Sequence, residues 1–305
     1  MSYIFGPVLS RRLGRSLGVD IVPFKTCTYD CVYCQLGRTI DKTLERKQWT
    51  PLDDVLAELE GKLICRPDYI TLSGSGEPTL FVQMGELIDR VKAMTDVPFA
   101  VLTNGSLLWR KDVRDQLVNA DLVIPSLDAG DAAMFRAVNR PHEDISFEKM
   151  LDGLIAFRKE FAGEYWLEIM LLAGYTAIEA ELAKIVGCVE MIRPDRVQLN
   201  TVARPPAEDF AVGVSPRRMA ELAEMFDLPA EVIADFSGDG KQHESAAGRE
   251  EILNMLRRHP CSIDDLAGGL GVQRNEAIKH VEELAAEGLL EPVRMGSKSY
   301  YRARQ

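Results

Sequence analysis

Between residues 16 and 233 six short apolar runs alternate with six amphipathic ones, and that alternation restricts the fold more than any other feature of the chain. The apolar runs are 16–23, 69–73, 98–103, 122–127, 166–172 and 195–202. The stretches between and after them begin at Asp53, Gln83, Lys111, Phe147, Ala177 and Ser215 and are amphipathic, as helices packed on one face would be. Such an order predicts an α/β protein, because strands that run parallel need long, usually helical, connections. Six strand and helix units predict a partial (β/α)6, TIM-like barrel with its ligand site at the carboxyl ends of the strands.

The first predicted strand runs into CTYDCVYC, which places Cys27, Cys31 and Cys34 on one loop at that end. Three neighbouring thiolates can hold three irons of a [4Fe–4S] cluster and leave the fourth iron open to a small-molecule ligand. Disulfides would need an even set and an oxidising compartment. A closed zinc site would need a fourth ligand, and His142, His243, His259 and His280 all lie far downstream. Cys65, Cys188 and Cys261 stand alone at wide intervals; the first two lie within predicted helices and read as inert core thiols, and Cys261, before a helix outside the barrel, is the least expected to take part. Lys25 precedes the trio and is either a cation that stabilises a reduced cluster or a solvated loop residue.

Further polar residues collect at the same strand ends. Gly74, Ser75, Gly76 and Glu77, followed by Pro78, come after the second strand. Two glycines and a proline there make a tight turn, or bring the main chain close to a ligand. Asn104 follows the third strand, Ser126 and Asp128 the fourth, Asn200 and Arg204 the sixth. The small polar residues either bond ribose hydroxyls and a carboxylate or cap local turns. Arg204 either clamps an anion by two parallel bonds or makes a surface ion pair, and Arg11, Arg12 and Arg15 pose the same question.

Together VDIVPFKTCTYDCVYCQLGRT, SGSGEPTL, VLTNGSLL, PSLDAG and VQLNTVARPP resemble the radical S-adenosylmethionine (radical SAM) superfamily, over residues 5 to 210. Within it the chain looks like the stand-alone iron–sulfur oxidoreductases related to 4-demethylwyosine synthase. The resemblance implies that Cys27, Cys31 and Cys34 bind the cluster, with Tyr33 as the aromatic residue before the last cysteine. It implies that S-adenosyl-L-methionine is the second cofactor, held by Tyr33, Gly74, Ser75, Gly76, Glu77, Asn104, Ser126, Asp128, Asn200 and Arg204. It also implies reductive cleavage of S-adenosylmethionine, with electrons from reduced flavodoxin or ferredoxin, and hydrogen abstraction from a small-molecule or macromolecular substrate. The chain has no flavodoxin part and no second cysteine trio, which argues against tRNA modification.

Residues 1–233 read as the barrel and the polar stretch 234–247 as a linker. Residues 248–305 carry three helical segments and a hairpin, the order of a winged helix-turn-helix domain. Its third helix offers Gln273, Arg274, Asn275 and Lys279, and its wing Arg294, Lys298, Arg302 and Arg304, as contacts to DNA. Yet residues 247–305 hold nine basic and nine acidic side chains, so the excess acid behind a formal net charge of −11 belongs to the first 246. A neutral module on an acidic body does not favour a polyanion, since phosphate contacts dominate nucleic-acid affinity. A redox-responsive DNA-binding regulator is therefore one rival reading. Another is an activase that installs a glycyl radical in a partner protein. The chain start lacks the charged and apolar pattern of a signal peptide and no run reaches membrane-span length, so a cytoplasmic location is expected.

Overall fold

The computed structural model describes residues 2–234 and 248–304; all but Ala234 of the expected linker lies outside them. The antiparallel pair β1 (Ile4–Ser10) and β2 (Gly14–Val19) opens the chain. After a short parallel pairing of β3 (Thr26–Cys27) with β4 (Asp41–Lys42), five strands follow: β5 (Tyr69–Leu72), β6 (Phe99–Thr103), β7 (Leu122–Pro125), β8 (Glu164–Leu171) and β9 (Arg196–Thr201). With β10 (Ala230–Val232) they form one eight-stranded sheet in the order β1-β2-β5-β6-β7-β8-β9-β10, parallel throughout except for β1. The connecting helices are α1 (Leu52–Lys62), α2 (Met84–Met94), α3 (Lys111–Leu117), α4 (Ala132–Val138), α5 (Phe147–Glu160), α6 (Glu179–Ile192) and α7 (Pro216–Ala223).

All six expected strands and six expected helices are present. The sheet is larger than the sequence reading by β1 and β10, and α4 was not foreseen. β1 escapes because Gly6, Pro7 and the adjacent arginines break its apolar pattern, and β10 because its three residues carry too little pattern to register.

Side chains alternate across the pleat. On β8, Tyr165, Leu167, Ile169 and Leu171 are fully buried in the main core with the helices. Trp166, Glu168 and Met170 lie on the opposite face of the strand. There Leu13, from the turn between β1 and β2, packs with Ala100, Leu122, Ile124 and Trp166 as a plug. Above that plug the interior turns polar.

The last part holds α8 (Arg249–Arg258), α9 (Ile263–Leu270), α10 (Arg274–Ala286) and the antiparallel hairpin of β11 (Leu290–Met295) with β12 (Lys298–Ala303). Ser262 and Asp265 form a reciprocal cap on α9, each side chain bonding the other's backbone N–H. Ile252, Leu256, Leu266, Val281 and Leu284 form a separate small core. The helices lie against β1, with Val8 packed on that core, and so the module is seated on the open edge of the barrel. Among the described residues no helix is long and apolar enough to cross a membrane.

Candidate active site

The cysteine loop is held on both flanks by backbone bonds. Lys25 N–H donates to the Ser75 carbonyl at 2.6 Å, Glu77 N–H to Thr26 at 3.1 Å and Val32 N–H to Val138 at 2.9 Å. Within it Cys34 N–H bonds the Cys31 carbonyl at 3.1 Å, so the chain turns back at once and carries the sulfurs to one side. All three cysteines are free and line a cavity of ≈ 540 Å³ at the carboxyl ends of the strands.

Burial, with Glu77 behind it, pushes the Cys27 thiol up to about 12, and burial raises Cys31 and Cys34 too. Three thiols in such surroundings stay protonated until a cation arrives to exchange for their protons. Among the described residues no three His, Cys, Asp or Glu side chains are grouped to hold a single ion. Three thiols ranged around one cavity, with no imidazole in the set, fit one sulfur to each of three irons of a cluster.

Sulfur positions are further fixed by amides: Asn104 Nδ2 lies 3.5 Å from Cys27 Sγ, and Asn139 Nδ2 lies 3.6 Å from Cys31 Sγ. Lys25 lines the cavity beside the loop, and burial lowers its ammonium below the ordinary range against the pull of Cys34.

The glycine turn has tight steric reasons. A Cβ on Gly76 would stand 2.0 Å from the Thr26 carbonyl oxygen, and one on Gly74 would stand 2.3 Å from the Asp20 carboxyl carbon. Gly74 also adopts φ +155°, at the edge of what L residues tolerate. Glu77 is almost wholly buried and its carboxylate accepts from Thr79 N–H and Oγ1, Thr103 Oγ1 and Asn104 N–H, at 2.6 to 3.0 Å. With four protein donors, it ties the turn after β5 to the end of β6.

Asn104 faces the cavity, yet its amide is engaged with Thr28 Oγ1 at 2.8 Å and Ser106 N–H at 2.9 Å. Ser126 and Tyr33 line the cavity. Asp128 sits behind the wall, where it accepts from Tyr33 Oη, from Asn139 Nδ2 at 2.7 Å and from Met170 N–H at 2.9 Å. Its lone pairs are used by the protein, and burial raises its carboxyl to about 6. Asn200 lines the cavity and donates to Glu168 at 2.9 Å. Arg204 reaches Gln35 at 3.2 Å and Asp265 of α9 at 3.5 Å. Its pairing thus joins the barrel rim to the C-terminal module.

Several wall residues escaped the sequence reading. Glu168 pairs with Arg12 at 2.5 Å, and Arg12 also donates to Gln198 at 3.0 Å, which makes the polar floor above Leu13. Burial pushes the Glu168 carboxyl up, but Arg12 and Asn200 outweigh it and hold it below its ordinary value. The available signal was Glu168, Gln198 and Asn200 at alternate positions of apolar strands, which puts them all inside. Met255, Arg258 and His259 of the wall carried no such signal, because the module that brings them here is distant in sequence, and Asp20, which supports Ser75 from outside the cavity lining, carried none either.

A model of the radical SAM superfamily matches residues 21–186. The chain belongs to that superfamily. A UPF0026 protein of Methanocaldococcus jannaschii is 35% identical over 312 residues, 99% of this radical SAM chain and 96% of that protein. The GTPase Obg of Brachyspira hyodysenteriae is 40% identical over 286 residues, 92% of this chain, which spans 42% of that longer protein. A solved radical SAM methyltransferase from Sphaerobacter thermophilus superposes with a TM-score of 0.55 at 16% identity, covering 73% of this chain and 67% of the other. That last likeness concerns the fold, and it accords with the partial barrel of this radical SAM protein.

Proposed function

We propose that this protein is a radical SAM enzyme acting on a small molecule held between the cysteine loop and the C-terminal module. Cys27, Cys31 and Cys34 hold the [4Fe–4S] cluster. The turn Gly74 to Glu77, with Tyr33, Asn104, Ser126, Asn200 and the rim around them, forms the bed for S-adenosyl-L-methionine. Asp128 and Glu77 act there by fixing neighbours. When both groups are bound and an electron arrives from reduced flavodoxin or ferredoxin, they supply a 5′-deoxyadenosyl radical able to take hydrogen from substrate. The chain's own part is to exclude water and orient: Tyr33 is held by Asp128, and the Arg12, Glu168 and Asn200 floor presents fixed charges to the substrate.

The single observation that carries this reading is that three free thiols of one short loop line one cavity beside the glycine turn. Domain limits follow the sequence, with residues 1–233 as the barrel and 248–305 as a winged helix-turn-helix module. The module's placement supports a small substrate. It bridges both edges of the barrel opening, through Arg258 on the β2 side and through Asp265 and Tyr300 on the β9 side. A partner's polypeptide loop, as an activase would need, has less room to enter. The DNA-binding rival is weakened likewise: Tyr300 of the wing donates to the Ala203 carbonyl at 3.0 Å, Met295 packs among rim residues, and Arg274 is paired with Asp264. The kinship with 4-demethylwyosine synthase rests on motif order, and the location we infer is the cytoplasm.

The test is anaerobic reconstitution with iron and sulfide followed by dithionite and S-adenosylmethionine. Release of 5′-deoxyadenosine that disappears in Cys27→Ala, Cys31→Ala and Cys34→Ala but persists in Cys188→Ala supports the reading. Protein that takes up iron yet never cleaves S-adenosylmethionine refutes it.

A further inference from the structure

Asp20 stands at the end of β2, between the C-terminal module and the glycine turn. Its carboxylate accepts from Ser75 N–H at 3.0 Å and from Ser75 Oγ at 2.6 Å. Arg258, the last residue of α8, brings Nε within 3.5 Å of the same carboxylate, and both side chains are about nine-tenths buried. Arg258 is itself clamped, since its guanidinium donates to the Ser2 carbonyl at 3.1 Å and lies over the Phe5 ring at 4.5 Å. Gly74 leaves the space that lets Asp20 reach Ser75, for any Cβ there would collide with the carboxyl. Arg258 and Ser75 also line the cavity directly.

We infer that Arg258 is a positioning residue for the S-adenosylmethionine bed: the C-terminal module, through Arg258 and Asp20, holds Ser75 and hence the glycine turn in its binding geometry. The inference rests on the proposal that this turn contacts S-adenosylmethionine. Its physical ground is the cost of an unpaired buried charge. Without the guanidinium the Asp20 carboxylate has lost its counter-ion, takes up a proton, and becomes a weaker acceptor for two bonds that shape the turn. The module therefore completes the cofactor site of the barrel on which it is seated. Seating of the module and binding of S-adenosylmethionine then favour one another, because a coupling free energy is reciprocal.

The experiment uses full-length reconstituted protein and measures the dissociation constant for S-adenosylmethionine by equilibrium binding, with iron content and thermal midpoint as controls. Arg258→Met is expected to weaken binding about tenfold at unchanged iron per chain. Arg258→Lys, which keeps the charge, is expected to recover most of it. Should Arg258→Met fold poorly, Ser75→Ala tests the same link from its other end with an expected rise of about threefold. Tyr300→Phe, which removes one hydrogen bond at the opposite edge and leaves the Arg258–Asp20 contact in place, is expected to stay within about twofold of the wild type. Unchanged affinity in Arg258→Met with wild-type binding intact overturns the inference alone. Wild-type protein that binds no S-adenosylmethionine overturns the cofactor reading and the inference with it.

Discussion

Tyr33 donates its phenolic hydroxyl to Asp128, a residue 95 positions away that never reaches the cavity. The same carboxylate oxygen accepts from Asn139, whose amide lies 3.6 Å from Cys31 Sγ. One buried carboxylate thereby sets both the aromatic residue and an amide beside a cluster cysteine. Asp128→Asn replaces an acceptor of three donors by a group that must turn a donor towards one of them. It is expected to cost about 1–3 kcal/mol and to speed loss of iron to a chelator. Denaturant titration and the rate of bleaching by chelator check this.

Gly76→Ala forces a methyl group to 2.0 Å from the Thr26 carbonyl oxygen and 2.9 Å from a Val22 methyl, and the backbone atom cannot move aside cheaply. A loss of about 3 kcal/mol is expected, together with poor cluster retention, because Thr26 adjoins Cys27. The iron content of the purified reconstituted variant and its thermal midpoint decide the matter.

The floor pair can be examined by a double-mutant cycle. Arg12→Met leaves Glu168 without its cation in a site where both side chains are largely buried, and about 3–5 kcal/mol of stability should be lost. Arg12→Met combined with Glu168→Leu should recover most of that loss. A double variant whose loss equals the sum of the losses measured for Arg12→Met and Glu168→Leu alone would mean that the pair is not energetically coupled.

His259 gives a pH signature. Burial, assisted by Arg204 and Arg258 and opposed by Asp265, depresses its imidazole to about 3, while Cys261 Sγ sits 3.0 Å from Nδ1. The unfolded chain binds a proton at His259 near pH 6.5 and the folded chain does not, so stability is lost as pH falls through 6.5. Up to about 1.4 kcal/mol per pH unit is expected from this residue between pH 6.5 and 4. His259→Gln should flatten that part of the curve relative to the wild type. Parallel slopes for the two proteins would exclude the assignment.

Six strands, six helices and the loop carrying Cys27, Cys31 and Cys34 were legible in the amino-acid order, because pleat alternation, helical spacing and a three-cysteine loop are all local patterns. The same locality placed Gly74 to Glu77, Asn104, Ser126 and Asn200 on one rim. Whether a polar side chain at that rim faces a ligand or another part of the protein is not local. Glu77 and Asp128 carry the residue types of ligand contacts, yet their lone pairs are taken by Thr79, Thr103, Asn104, Tyr33, Asn139 and Met170, partners set by neighbouring strands. Arg204 reads as an anion clamp until α9 brings Asp265 to it. Asp20 and Arg258, 238 positions apart, share no pattern in sequence, and only the packing of the module against β1 brings their charges to 3.5 Å. Hydrophobic periodicity determines which face of each element is buried; the partners of buried charges are decided when the elements close on one another, since a charge leaves water only where an opposite charge or a donor awaits it.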